Sequence, residues 1–95
     1  MGRYTVVLLS KAIEDLQQIR KSGSNSTKNK IDTLLEELKN DPRKGTGKPE
    51  KLRFSTGEYE LWSRRVDKKN RMVYSIKENI VTVHVFSILG HYEDK

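Results

Sequence analysis

Ninety-five residues with no cysteine, 34% hydrophobic and 34% charged, allow one small domain (1–95) with a thin core, and exclude disulfides and thiolate metal sites. No apolar run at the N-terminus resembles a signal peptide and no segment is long enough to span a bilayer, so a cytoplasmic protein is expected. The net charge of +6 is localised: residues 42–72 hold ten Lys or Arg against four Asp or Glu, and the rest of the chain holds nine of each sign. Such a basic stretch fits a polyanion partner and a solubility patch equally well.

The chain opens with Tyr4-Thr5-Val6-Val7-Leu8-Leu9, β-branched and apolar. It predicts a strand, and its lack of polar positions predicts burial on both faces. Ser10 is the expected N-cap of a first helix, with Glu14 and Asp15 near its positive end. Ala12, Ile13, Leu16 and Ile19 share one face at helical spacing. Residues 22–26 break that helix and offer caps for a second. There Ile31, Leu34, Leu35 and Leu38 form the apolar stripe, and Asn40-Asp41-Pro42 ends it. The exposed faces of both helices mix charges and read as scaffold.

Residues 42–50 form a loop rich in Lys, Gly and Pro. Pro49 biases Lys48 toward an extended conformation, and a short strand is expected near Leu52-Arg53-Phe54. Tyr59 to Val66 reads as a strand, Asp67-Lys68-Lys69 as a turn and Asn70 to Lys77 as its partner. A turn at Glu78-Asn79 then leads to a last strand from Ile80 to Ser87. A three-residue turn pairs Val66 with Asn70 and sets Arg65 opposite Arg71 on one face. Two opposed cations repel, and a phosphate between them would relieve the repulsion. Gly90 bends the chain and brings His91 and Tyr92 toward the sheet edge. The architecture is α+β: β-α-α followed by an antiparallel meander, with two helices on one face of a four- or five-stranded antiparallel sheet. The other face carries Arg65, Arg71 and the basic loop.

These side chains suit RNA cleavage. RNA carries its own nucleophile, the 2′-hydroxyl, so an enzyme needs a base, an acid and cations for the phosphorane. Glu50, in a cationic segment, is the candidate base. His91 is the candidate acid, because histidine is the side chain whose unperturbed pKa lies near neutrality. Arg65 and Arg71 can fork onto phosphate oxygens. Lys48, Lys51 and Arg53 would bind flanking phosphates, and Tyr92 would stack on a base or donate a hydrogen bond. Each has a plainer alternative: Glu50 as an ion-pair partner of nearby lysines, His91 as an idle terminal residue. His84, Trp62 and Tyr74 read as structural. No phosphate-binding G-x-x-x-x-G-K-[ST] loop, G-x-S-x-G elbow or spaced His and Cys ligands occur, so neither cofactor nor metal is expected. The residues alone stop at a basic α+β domain that binds RNA.

The pieces Gly45-x-Gly47-Lys48-Pro49-Glu50-x-Leu52, Trp62-Ser63-Arg64-Arg65-Val66, Arg71-Met72-Val73-Tyr74 and His91-Tyr92 closely resemble, in order and spacing, the YoeB/Txe toxins of the RelE superfamily. The N-terminal half resembles them more loosely. The resemblance implies a RelE-like fold and the toxin of a bacterial type II toxin–antitoxin module. Such a toxin is a metal-independent endoribonuclease that enters the ribosomal A site and cleaves mRNA, leaving a 2′,3′-cyclic phosphate and a 5′-hydroxyl. It further implies Glu50 as general base, Arg65 and Arg71 as phosphate stabilisers, His91 as general acid and Tyr92 as a residue shaping the site. The implied partners are a YefM/Phd-type antitoxin, the ribosome and mRNA, with a homodimer left open. The alternative is a non-catalytic RNA- or ribosome-binding module, or a decayed toxin that only binds antitoxin. Three features depart from the family pattern: Lys51 in place of proline, two acids at Glu58 and Glu60 beside a cationic site, and Glu93-Asp94-Lys95 beyond the terminal pair.

Overall fold

The first strand, β1 (Thr5–Leu8), lies at an edge of the sheet rather than inside it. The computed structural model describes residues 3–53 and 60–90. Two helices follow, α1 (Ser10–Ser22) and α2 (Asn25–Asn40), then β2 (Glu50–Lys51), β3 (Glu60–Arg65), β4 (Arg71–Lys77) and β5 (Thr82–Gly90). The five strands form one sheet in the order β1-β5-β4-β3-β2. The meander is antiparallel as expected, whereas β1 pairs parallel with β5, Val6 beside Val83 and Val7 beside His84.

Both helices pack on one face, and the core lies between the layers. Ile19, Ile31, Leu34 and Leu38 meet Met72, Tyr74, Ile76, Val83, Val85 and Ile88, all at most 4% exposed. Each aliphatic side chain buried in this way stabilises the fold by about 1.5–3 kcal/mol. The alternation of strand side chains sends Met72, Tyr74 and Ile76 to the helices, and Arg71, Val73 and Ser75 to the other face.

Several expectations change. β1 is not buried on both faces: Thr5 and Val7 are exposed, because helices cover one side only. Helix α1 already includes Ser10, its N-cap is Leu9, and no side chain caps it. Ile13 is 44% exposed, and the buried place on that face goes to Asp15. The expected break before α2 holds, with Ser24 Oγ accepting from Thr27 N–H at 3.2 Å. Strand β2 is Glu50–Lys51 and ends before Leu52, although Leu52 N–H still donates to Leu61 O at 2.7 Å. Beyond β4, Glu78–Ile80 makes a 3₁₀ turn and Val81 is left-handed (φ 49°), so β5 starts at Thr82. A bulge near Val73 lets β5 run on to Gly90, which pairs with Arg71 inside the strand instead of bending the chain after it.

Candidate active site

The site is assembled at the junction of the 41–49 loop with β2, β3 and β4. The loop is held from below by one side chain. Arg64 is completely buried. Its Nε donates to Tyr74 Oη (3.1 Å), its Nη1 to Glu37 Oε1 (2.6 Å) and Thr46 O (3.2 Å), and its Nη2 to Asp41 O (3.1 Å) and Lys44 O (2.6 Å). A guanidinium has five N–H donors, and all five are used. Tyr74 in turn donates to Pro42 O at 2.6 Å. Glu37 receives Thr46 N–H at 2.7 Å and Thr46 Oγ1–H at 2.8 Å. Burial opposes ionisation of Glu37, but the bonds from Thr46 and Arg64 outweigh it and hold the carboxyl below its ordinary range.

Farther along, Gly47 O accepts from Arg65 N–H at 2.7 Å, with Gly47 at φ 84°. A Cβ there would lie 2.7 Å from Arg65 O, so only glycine lets the backbones approach. Lys48 follows at φ 50°, not in the extended conformation that Pro49 predicts. The Gly47–Arg65 bond turns the chain there and overrides the local preference.

Glu50 emerges from this turn opposite Ser63, and Arg65 stands opposite Arg71, as the turn length predicted. The turn is closed by Asp67, whose Oδ1 accepts from Lys69 N–H (2.8 Å) and Asn70 N–H (2.7 Å). Arg71 Nη1 lies 3.6 Å from Glu50 Oε2 and donates to the buried Ser63 Oγ at 3.3 Å. Glu50, Ser63, Arg65 and Arg71 thus share the face that the helices leave open. The Glu50 side chain is 57% exposed and that of Arg71 29%, so the carboxylate is open to solvent.

Lys48 and Arg53 are exposed on the segments flanking Glu50. Lys51 pairs with Trp62 and lies on the opposite side of the sheet from Glu50, where its charge acts on Glu60. His84 is half-buried in β5, between Val7 and Ser75. His91 and Tyr92 lie outside the described residues. Glu60 does not burden the cationic face. Arg43 forks onto it with two 3.1 Å contacts, and Trp62 Nε1 donates to it at 2.8 Å. The Arg43 bonds hold Glu60 below its ordinary range. Arg43 also reaches Glu78 (3.1 Å) and Tyr4 Oη (3.2 Å), a second clasp away from the site.

Sequence reasoning missed Glu37, Arg64 and Ser63. Arg64 could have been found: strand alternation puts it on the core side with Trp62, and an arginine there must find partners. Among the described residues, no group of three His, Cys, Asp or Glu could hold a metal ion, and no helix is long and apolar enough to cross a membrane.

Residues 9–92 match the family model of the YoeB-like toxin of bacterial type II toxin–antitoxin systems. Toxin YoeB of Streptomyces coelicolor is 38% identical over 69 residues, covering 73% of this chain and 79% of that protein. Toxin RelK of Mycobacterium tuberculosis is 37% identical over 62 residues, covering 65% and 71%. Among solved structures, the YoeB dimer of Staphylococcus aureus superposes with a TM-score of 0.76 at 28% identity, over 96% of this chain and 100% of that one. The heterotetrameric YoeB–YefM complex of the same organism gives 0.72 at 30% identity, with the same coverage.

Proposed function

The chain belongs to the YoeB-like toxins of bacterial type II toxin–antitoxin systems, and from that premise we propose that it is an endoribonuclease cleaving mRNA in the ribosomal A site. The observation that carries this reading is the Glu50 carboxylate 3.6 Å from the Arg71 guanidinium, with Arg65 opposite Arg71 on the same open face. Glu50 takes the proton of the ribose 2′-hydroxyl, and O2′ attacks the adjacent phosphorus. Arg65 and Arg71 stabilise the negative charge that grows on the non-bridging oxygens. Ser63 holds the Arg71 guanidinium in place. The bond from phosphorus to O5′ breaks, and His91 gives a proton to the leaving oxygen. The products are a 2′,3′-cyclic phosphate and a 5′-hydroxyl. Every atom of the reaction comes from RNA and side chains, so no metal or cofactor enters the scheme. Tyr92 shapes the site, and Lys48 and Arg53 bind flanking phosphates.

The same charge serves regulation. A YefM-type antitoxin with an acidic segment would compete with RNA for this field. The Staphylococcus aureus relative is solved both as a dimer and in complex with YefM, which supports a partner and self-association for this chain. Primer extension on ribosome-bound and naked message tests the proposal. The parent is expected to create new 5′ ends on ribosomes, and Glu50→Ala, Arg71→Ala and His91→Ala each to reduce them by about 10²–10⁴-fold. Stalled ribosomes with intact message would instead make the chain a binding module.

A further inference from the structure

The cationic face continues past Arg71 into a groove of about 450 Å³ lined by Lys30, Arg65, Asp67, Lys68, Lys69 and Arg71. Five cations face one carboxylate, and that carboxylate is engaged: Asp67 accepts from Lys69 N–H, Asn70 N–H and Asn70 Nδ2. Some long cations have a carboxylate partner: Arg43 has Glu60, Arg64 has Glu37 and Lys11 has Asp15, and within the groove Arg71 has Glu50. Among the described residues, no carboxylate comes within 4 Å of Lys30, Arg65, Lys68 or Lys69. Lys30 acts on Asp67 only from beyond ion-pair distance, so the four cations converging from α2, β3 and the β3–β4 turn outnumber the carboxylate among them and repel one another, and the arrangement becomes favourable when an anion enters.

We propose that this groove is a second phosphate subsite, in which Lys30, Lys68 and Lys69 hold an RNA phosphodiester next to the one held by Arg65 and Arg71. The assignment rests on the reading of the chain as an RNA-cleaving toxin. Arg71 belongs to both halves, touching Glu50 on one side and lining the groove on the other. A polynucleotide crossing the site must place successive phosphates along such a line, and lysine ammonium groups suit a phosphate as point charges. The phosphate belongs either to the message or to ribosomal RNA; the chemistry is the same.

The test is binding, measured by anisotropy with the full chain and a short single-stranded RNA whose 2′-hydroxyls are replaced by hydrogen so that it cannot be cut. Lys30→Gln, Lys68→Gln and Lys69→Gln should each weaken binding about three- to tenfold at moderate salt, and each should lower the slope of log affinity against log salt by about 0.7. Lys68→Arg and Lys69→Arg should restore the parent values, and thermal melts should show all variants folded. Lys21→Gln, on the far helix, is the reference. The same series on isolated small ribosomal subunits separates the sources: losses on the oligonucleotide assign the message, losses on subunits alone assign ribosomal RNA. Variants no weaker than Lys21→Gln on both overturn the subsite. An oligo-glutamate peptide that loses affinity while RNA does not makes the groove a protein-docking surface and also overturns it. RNA binding that depends on these lysines in a chain that never cuts would sink the nuclease reading and leave the subsite standing.

Discussion

Arg64 of β3 and Glu37 of α2, 27 positions apart in the chain, meet at 2.6 Å with the arginine wholly out of solvent. The pair sits under the loop that delivers Glu50. Three of the remaining arginine donors bind the carbonyls of Asp41, Lys44 and Thr46, which are the backbone of that loop, and the fourth binds Tyr74 Oη. A loop rich in Gly and Lys has little apolar surface of its own, so an internal cation takes over the ordering that packing would otherwise supply.

Removing this cation is expected to be severe. Arg64→Ala strands Glu37 and three carbonyls, and a loss of about 3–5 kcal/mol in urea unfolding is expected. Arg64→Lys should recover little, because an ammonium cannot reach five acceptors in the planar fork the guanidinium provides. Glu37→Gln keeps the shape and gives up the charge, for about 1–2 kcal/mol. A stability for Arg64→Lys within 1 kcal/mol of the parent would show that the fork is not what holds the loop.

Gly47 makes the second anchor of that loop. At φ 84°, with a Cβ position 2.7 Å from Arg65 O, Gly47→Ala has both strain and a backbone clash. The expected loss is about 1–3 kcal/mol, and message cleavage should fall further than stability alone explains, since the displaced strand carries Arg65. Gly23→Ala is a useful comparison. Its own Cβ position meets Ile19 O at 2.7 Å, but it lies between the helices, so it should reduce stability without a separate effect on cleavage.

What could be read from the chain and what could not follow from distance. The Arg65–Arg71 register was legible because Asp67 closes its turn with bonds to residues two and three places on. The helix stripes of Ile31, Leu34 and Leu38 were legible because period alone decides them. The parallel pairing of β1 with β5 joins Thr5 to Thr82, and no local pattern announces it. Asp15 looked like a dipole partner for its own helix, yet its Oδ2 accepts from Ile88 N–H and Leu89 N–H, some seventy residues later. Lys48 obeyed a hydrogen bond between Gly47 and Arg65 rather than the proline beside it. In the candidate site, Glu50 and Arg71 could be nominated by residue type, while Ser63, which accepts from Arg71, and Arg64, which binds the loop before Glu50, answer to neighbours brought near only by folding.

Acid should loosen the fold through these long-range carboxylates. Burial raises the Asp15 pKa, but Lys11 at 2.7 Å and the Leu89 and Ile88 amides outweigh it, and the net direction is down. Glu37 and Glu60 are lowered as well. A carboxyl whose folded value lies below its unfolded one binds fewer protons when folded. Its contribution is complete above the unfolded value near 4, and is lost as pH falls through the folded value. Stability from urea midpoints should therefore be level from pH 7 to 5 and drop steeply below pH 4. Asp15→Asn should cost about 1–3 kcal/mol at pH 7 and flatten the acid limb. An Asp15→Asn curve parallel to the parent's between pH 5 and 3 would remove Asp15 from this account.

The opposed arginines give the sharpest separation of stability from function. Arg65 and Arg71 face each other across the β3–β4 pair, and only Arg71 has a carboxylate partner among the described residues. Like charges directly opposite on a sheet cost about 0.2–1 kcal/mol, and among the described residues no carboxylate pairs with Arg65 to offset that amount. Arg65→Gln is thus expected to leave the protein as stable as the parent or more stable by about 0.5 kcal/mol, with the gain shrinking at high salt. Cleavage of ribosome-bound message should nevertheless fall at least tenfold, because the proposed mechanism assigns this guanidinium as one of two that meet the charge developing on phosphate. The measurement pairs urea unfolding at two salt concentrations with primer extension on the same preparations. If Arg65→Gln is destabilising and cuts message as well as the parent, the residue is structural, and the reason for placing two arginines face to face must be sought elsewhere than in the phosphate.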